Sequence, residues 1–542
     1  MPAIQSKLDT DSEAFRRNRE RMLALIARLR ALEASARDAS ATAKPLFDRR
    51  GQLLPRERIA RLLDPGAPWL ELASIAGYRP EEEGKTHPGG GMLTGIGYVA
   101  GVRAMVVASD SGIDAGAIQA MGREKLLRAQ ELALDNKLPF VHLVESAGAN
   151  LLKYRVEGFI HGGSIFYNLA RLSAAGLPVI TVVHGSSTAG GAYMPGLSDY
   201  VIMVRGRARA FLAGPPLLKA ATGEVATDEQ LGGALMHTHV SGLGEYLAED
   251  DADAIRLVRE VLSRLGWRAP SVPRAASGGS VAGRPPRYPA EDLLGVMPED
   301  YRKPLDMREV IARVADGSDF LDFKPDYGPA TVCGHAAVQG RRIGILTNNG
   351  PLDPAGANKA THFIQACCQA GLPLAFLQNT TGYIVGVASE EAGMIKHGSK
   401  MIQAVANANV PKITLMCGAS FGAGNYGMCG RAYRPRFLFS WPNARTAVMG
   451  AEQAALTMAI VMEGGAKRKG QPVDEQKIAA LKAQIVENFE RQSDAFVTSG
   501  LLLDDGIVDP RDTRNLLGFA LAVCDDADSA ALRPMQFGVA RP

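Results

Sequence analysis

Pro178-Val179-Ile180-Thr181-Val182-Val183-His184-Gly185-Ser186-Ser187-Thr188-Ala189-Gly190-Gly191-Ala192-Tyr193 reads as an apolar strand running into a turn of small residues. The chain contains a second copy at Pro411-Lys412-Ile413-Thr414-Leu415-Met416-Cys417-Gly418-Ala419-Ser420-Phe421-Gly422-Ala423-Gly424-Asn425-Tyr426, offset by 411 − 178 = 233 residues. Other pairs keep nearly that offset. Pro139 to Ser146-Ala147-Gly148 matches Pro373 to Thr380-Thr381-Gly382 at 373 − 139 = 234, and Gly95…Gly101…Asp110 matches Gly334…Gly340…Asn349 at 334 − 95 = 239. Three ordered pairs in register predict two copies of one domain. Two equivalent backbone cradles can hold two different small groups.

Outward from that repeat, the chain has 542 residues, room for two to four domains. A hydrophobic content of 46% and a charged content of 22% are those of an ordinary globular protein, and a net charge of +3 is too small for a nucleic-acid surface. The six cysteines show no CxxC spacing and read as reduced thiols, most of them buried. The polar N-terminus shows no signal peptide and no apolar run reaches membrane-helix length, so a soluble cytosolic protein is expected.

Phe15, Met22, Leu23, Ile26, Leu29 and Leu32 recur at helical spacing between Asp11 and Ala36. A Pro-, Gly- and Ser-rich stretch from Ala269 to Ser280 and on to Pro285-Pro286 reads as a linker between domains at 1–275 and 288–542. A polar amphipathic helix is expected from Gln476 to Arg491, and a turn at Asp509-Pro510. Within each half, short apolar strands (Ala104–Ala108, Phe140–Val144, Val179–Val183; Ile343–Thr347, Leu374–Leu377, Ile413–Cys417) alternate with helical stretches, the signature of an α/β fold with helical crossovers. There is no GxGxxG after the first strand and no GxxxxGK[ST], which argues against dinucleotide and ATP binding.

A strand–turn–helix carrying Gly190-Gly191 exposes backbone N–H groups that can stabilise a negative oxygen, and the missing Cβ atoms let a substrate approach. The alternative reading is a tight turn required for packing. Glu145, Asp199, Lys219, Glu224 and Glu452 are the nearest charged candidates for proton transfer, and each reads more readily as a cap or surface residue. His161, His184 and His362 have no partners at metal-ligand spacing, no zinc motif is present, and no GxSxG elbow supplies a nucleophile. Electrostatics from the backbone, with a base supplied by a cofactor, is the expectation.

The doubled repeat is joined by Gly89-Gly90-Gly91, Arg128-Ala129-Gln130-Glu131, Thr188-Ala189-Gly190-Gly191-Ala192-Tyr193, Phe211-Leu212-Ala213-Gly214-Pro215-Pro216, Lys219-Ala220-Ala221-Thr222-Gly223-Glu224 and Gly422-Ala423-Gly424-Asn425-Tyr426-Gly427-Met428-Cys429-Gly430-Arg431-Ala432-Tyr433. Over nearly its whole length the chain resembles the carboxyltransferase (β) subunits of biotin-dependent acyl-CoA carboxylases, in the 3-methylcrotonyl-CoA and geranyl-CoA branch. The resemblance implies two tandem crotonase-like (ββα superhelix) domains. It implies that Gly190 and Gly191 hold the acyl-CoA thioester oxygen, with Ala147, Gly148, Gly162, Gly163, Ala189 and Tyr193 around the substrate. Gly422, Ala423 and Gly424 would hold the ureido oxygen of biotin, beside Phe421, Asn425 and Tyr426. It further implies coenzyme A as part of the substrate, biotin as the base after CO2 release, and no metal. The chain lacks an Ala-Met-Lys-Met biotinylation site and an ATP site. A separate biotin-carrying α subunit is therefore expected, around a β hexamer core of an α6β6 complex.

Methylcrotonyl-CoA enzymes typically read His-Phe-Gly where this chain reads His161-Gly162-Gly163-Ser164-Ile165-Phe166-Tyr167-Asn168-Leu169. Losing a benzyl group there would open space for a longer acyl chain. Ser186-Ser187-Thr188 stands where Ser-Cys-Thr is usual, and Asp110-Ser111-Gly112-Ile113-Asp114-Ala115-Gly116 also departs from the methylcrotonyl type. These changes favour geranyl-CoA. A methylcrotonyl-CoA or long-chain carboxylase, a biotin-dependent decarboxylase subunit, a crotonase-type hydratase or isomerase, and a non-catalytic homologue are the other readings.

Overall fold

A computed structural model of the protein describes residues 3–82, 87–146, 155–267, 283–468, 470, 472 and 474–541. The chain divides into two compact units. The N unit comprises Ala31–Arg274, Gly500–Leu502 and Val523–Pro542; the C unit comprises Met1–Arg30, Ala275–Ser499 and Leu503–Ala522.

In the N unit the strands are β1 (Leu70–Glu71), β2 (Met92–Val99), β3 (Val102–Ser109), β4 (Phe140–Ser146), β5 (Val179–Thr188), β6 (Tyr200–Val204), β7 (Arg209–Phe211) and β8 (Tyr246–Ala248). They order as β1-β2-β3-β4-β5-β6-β8, with β7 on the far end of β5. In the C unit, β9 (Leu321–Asp322), β10 (Thr331–Val338), β11 (Arg341–Asn348), β12 (Leu374–Thr380), β13 (Lys412–Phe421), β14 (Phe437–Ser440) and β15 (Arg445–Ala447) order as β14-β13-β12-β11-β10-β9, with β15 on the far end of β13. A parallel bridge from Ser440 to Ile507 occupies the place that β8 takes beside β6. Seven strands of the first sheet (β1–β7) therefore correspond in order to the seven of the second (β9–β15), and each of the six strands expected from the sequence lies inside one of the two sheets.

The parallel centre of each sheet is built from residues buried on both faces, which is why Val179–Val183 and Ile413–Cys417 read as continuous apolar runs. Helices Ala120–Asp135 and Ser164–Ala174 cross over between β3, β4 and β5; Pro354–Gln369 and Met394–Asn407 do the same between β11, β12 and β13. Asp353 caps Pro354–Gln369 by accepting from the Gly356 N–H, and Pro354 occupies the first turn, where its missing donor costs nothing. Val106, Val141, Ile180, Val258 and Leu262 share one core in the N unit; Phe363, Phe376, Met401 and Val405 share one in the C unit.

The helix expected near Asp11–Ala36 runs Glu13–Ala41, and its Met22 and Ile26 pack with Leu294 in the C unit. The amphipathic helix runs Glu475–Ser493, and a 3-10 turn follows Asp509. Most of the linker read at Ala269–Ser280 and beyond lies outside the described residues. Of the six cysteines, only Cys368 is not buried. No helix among the described residues is long and apolar enough to cross a membrane.

Candidate active site

Each repeat ends its longest strand in the same turn. After Thr188, Ala189 takes a left-handed conformation (φ 53°); after Phe421, Gly422 does so (φ 54°). The next residue is exposed (Gly190, Ala423), the one after it buried (Gly191, Gly424), and the fifth is a half-exposed tyrosine (Tyr193 49%, Tyr426 46%). All of these pairs keep the 233-residue offset. A left-handed alanine costs about 1–2 kcal/mol, and such strain is held where surrounding structure over-determines it, often at functional sites. The Gly190 and Ala423 N–H groups donate to no other described residue. Ser187 Oγ donates to Gly191 O at 2.9 Å. The corresponding Ser420 Oγ accepts from Asn425 Nδ2 at 2.7 Å and donates to Gln378. In both units, then, a buried serine braces the turn from behind while an amide faces outward.

The glycines differ in what they leave open. A Cβ on Gly190 would lie 3.8 Å from Phe166 Cζ, and one on Gly191 3.7 Å from Ser187 Oγ, both ordinary contacts. The fold itself therefore has room for alanine there. A Cβ on Gly424 would lie 2.8 Å from Gly382 Cα, so that glycine is required by packing. Phe166 meets Tyr193 edge-on with ring centroids 5.9 Å apart, beside the N-unit turn. Gly162 ends the helix Val156–Gly162, and Gly163 keeps helical angles into Ser164–Ala174, so Gly162 lies one turn before Phe166. The nearest atom to a Cβ on Gly162 is Arg123 Cδ at 3.7 Å. Gly162, Gly163, Ala189, Gly190, Gly191 and Tyr193 thus belong to neighbouring segments of one unit. Ala147 and Gly148 lie outside the described residues.

In the C unit, Phe421 is buried against Tyr301, with ring centroids 5.0 Å apart. Asn425 turns its amide inward to Ser420, and a Cβ on Gly430 would collide with its Oδ1. These two side chains support the turn, whereas Tyr426 flanks it at the surface. Outward-facing amides with little side chain in front suit a carbonyl-type oxygen such as those of a thioester or a cyclic urea. Biotin's ureido group fits this donor set.

Of the charged residues read as acid–base candidates, Glu145 is buried and paired with Arg58 at 2.7 Å. Burial pushes its carboxyl up, but Arg58, with a hydrogen bond from Ser111, outweighs that and holds it below the usual range. Asp199 accepts from Ser173 Oγ and from the Val179 N–H, Glu452 pairs with Arg302, and Lys219 and Glu224 are exposed. His184 is buried with Nδ1 2.7 Å from Asp251; His161 contacts Glu124, and His362 contacts Lys324. No cluster of metal-ligating side chains occurs among the described residues. Arg58 and Asp251 had no sequence signal: nothing in a single chain marks an arginine 87 residues from its partner.

A family model described as the carboxyl transferase domain matches residues 48–535. The chain belongs to that family, as a carboxyltransferase subunit in the branch of biotin-dependent acyl-CoA carboxylases that holds the methylcrotonyl-CoA and geranyl-CoA enzymes. It is 47% identical to a probable biotin-dependent acyl-CoA carboxylase β2 subunit of Mycobacterium tuberculosis, covering 99% of this chain and 100% of that one. It is 46% identical to the biotin-dependent 3-methylcrotonyl-CoA carboxylase β1 subunit of the same organism, covering 92% and 93%. Among solved structures, it is similar to the β subunit of the geranyl-CoA carboxylase of P. aeruginosa, with 54% identity, a TM-score of 0.92 and full coverage of both chains. Its units have the crotonase-like fold of that family.

Proposed function

We propose that this chain transfers a carboxyl group from carboxybiotin to the γ-carbon of geranyl-CoA. The observation that carries the choice of substrate is the bare backbone at Gly162, one helical turn from the Phe166 ring that borders the N-unit turn. The higher identity to a geranyl-CoA carboxylase β subunit than to the methylcrotonyl relative supports the same reading. Carboxybiotin, brought by a separate α subunit, supplies the carboxyl group and a basic site for the proton. Ala423 and Gly424 hold its ureido oxygen, with Gly422 shaping the turn, Phe421 and Asn425 supporting it and Tyr426 flanking it. Gly190 and Gly191 N–H groups hold the thioester oxygen. Loss of the γ-proton of a 3-methyl-enoyl thioester spreads negative charge onto that oxygen, where two fixed donors are worth most. Ala189 sets the turn that aims them, and Phe166 and Tyr193 exclude water on one side. The chain works as a β hexamer within an α6β6 assembly in the cytoplasm.

Each buried CH2 is worth about 0.8 kcal/mol, so one extra prenyl unit supports at least a tenfold preference. Reconstitution with a biotin-carrying α subunit should give kcat/KM for geranyl-CoA at least about tenfold above that for methylcrotonyl-CoA, with propionyl-CoA lower still. Gly162→Phe should depress geranyl-CoA turnover far more than methylcrotonyl-CoA turnover. A methylcrotonyl-CoA preference, or equal effects of the substitution on both, would overturn the substrate choice.

A further inference from the structure

The N unit holds a buried ionic cluster that the transfer chemistry does not use. Arg58, 1% exposed, donates from Nη1 to Glu145 at 2.7 Å and from Nε to Asp251 at 3.0 Å. Asp251 also accepts from His184 Nδ1 at 2.7 Å and from the Leu53 N–H at 2.8 Å. Glu145 accepts in addition from Gln52 Nε2 at 3.0 Å and Ser111 Oγ at 2.8 Å. Burying such charges gains little stability over apolar packing, so stability alone does not explain the cluster.

The C unit contains the same joint without the charges. His184 corresponds to Cys417 (417 − 184 = 233) and Glu145 to Asn379 (379 − 145 = 234). Glu145 and Asn379 each sit where the parallel pairing shifts register, between Val144 and Ser146 and between Gln378 and Thr380. Each side chain presses on the following strand: a Cβ on Gly185 would lie 2.5 Å from Glu145 Oε1, and one on Gly418 2.4 Å from Asn379 Oδ1. That joint is where β5 leaves β6, paired through Val183, and takes up β7 from Ser186 to Thr188, immediately before Ala189. Whatever holds Glu145 therefore sets the path of the backbone into Gly190 and Gly191.

We propose that Arg58 and Glu145 are positioning residues that lock the bend of β5 and so aim the Gly190 and Gly191 amides at the acyl oxygen. This rests on the carboxyltransferase reading above. A misplacement of about 1 Å can cost on the order of a hundredfold in rate. In the reconstituted enzyme, Glu145→Gln should lower kcat on geranyl-CoA at least about tenfold with KM within about twofold, and Ser111→Ala, which removes one hydrogen bond, should shift kcat in the same direction by less. Glu309→Gln is the control: it breaks the 2.8 Å buried pair with Arg313 in the C unit and should lower the melting temperature with kcat intact. Unchanged kcat in Glu145→Gln and Ser111→Ala, or an equal loss of kcat in Glu309→Gln, would overturn the proposal. Amide hydrogen exchange over residues 186–193 reads the same device without turnover. Faster exchange there in Glu145→Gln than in Glu309→Gln is expected, and identical exchange would overturn it. Wild-type enzyme inactive on every acyl-CoA would sink the functional reading alone, leaving the exchange result to decide the device.

Discussion

Replacing Gly190 by alanine separates a turn required for packing from a turn required for a ligand. The added Cβ would meet Phe166 Cζ at 3.8 Å and no closer atom, and Gly190 is not among the left-handed glycines. The corresponding residue in the C unit is already alanine, Ala423, on the same backbone. The fold should accept the change and gain about 0.4–1 kcal/mol through the less flexible unfolded chain. Activity should not survive it. The methyl projects beside an amide that donates to no other described residue, in the space a thioester must enter, and displaces the acyl oxygen. Losing one such donor costs about 10²–10³ in rate, or about 2.7–4 kcal/mol. The assay pairs steady-state carboxylation of geranyl-CoA by the holoenzyme with a thermal melt. The expected result is kcat/KM down at least about a hundredfold with the melting temperature equal to or above wild type. A variant with kcat/KM within about threefold of wild type would refute the donor role of Gly190, and a large fall in melting temperature would refute the claim that packing leaves room for the methyl.

Gly424→Ala should behave in the opposite way: its Cβ would be forced to 2.8 Å from Gly382 Cα and 3.1 Å from Thr380 Cγ2, an overpacking cost of about 1–3 kcal/mol, visible as a lower melting temperature. An unchanged melt would mean the two loops are not so closely apposed. Burial pushes Lys125 down from 10.5 to about 8, a shift that Arg56 reinforces and Glu71 and Asp110 oppose; its Nζ donates to Met92 O at 2.7 Å. The folded chain therefore binds fewer protons than the unfolded one between those values, so stability rises with pH there. A penalty of about 3 kcal/mol is present below pH 8 and fades as pH approaches 10.5. Wild type should thus gain on Lys125→Met in denaturant midpoint between pH 7.5 and pH 10, and parallel curves would show that Lys125 titrates normally.

The duplicated strand-and-turn was legible because both of its signals are local. Val179–Val183 and Ile413–Cys417 are apolar over a strand's length, and the small residues after them mark the turn whichever way the chain folds. The sequence could not show which glycine served packing and which served approach: Gly191 and Gly424 read alike, and only the nearness of Gly382 distinguishes them. The place of Glu145 was hidden from the sequence for a related reason. It stands in a candidate position for proton transfer, but Arg58, Gln52 and Ser111 converge on it from three other segments and hold it as a buried carboxylate. Asn425 could be read as facing a ligand until Ser420 claimed its amide. The helix at Glu13–Ala41 showed an apolar face by its spacing, but periodicity does not say which core that face joins.

The assignment of the chain ends to units has a consequence for biosynthesis. Residues up to Arg30 belong to the C unit, and those from Val523 onward to the N unit. There the tail lies against three parts of the unit: Met535 N–H donates to Ala174 O in the β4–β5 connection at 2.8 Å, Lys137 Nζ, between β3 and β4, donates to Ala530 O at 2.9 Å, and Arg541 pairs with Glu245, just before β8, at 2.8 Å. A ribosome that has just passed residue 274 has made all of the N unit except residues 500–502 and 523–542, while the first part of the opening helix waits for the rest of the C unit. Neither half matures ahead of the other, and a nascent chain stalled between them would present an uncovered connection and an unclaimed amphipathic helix to chaperones.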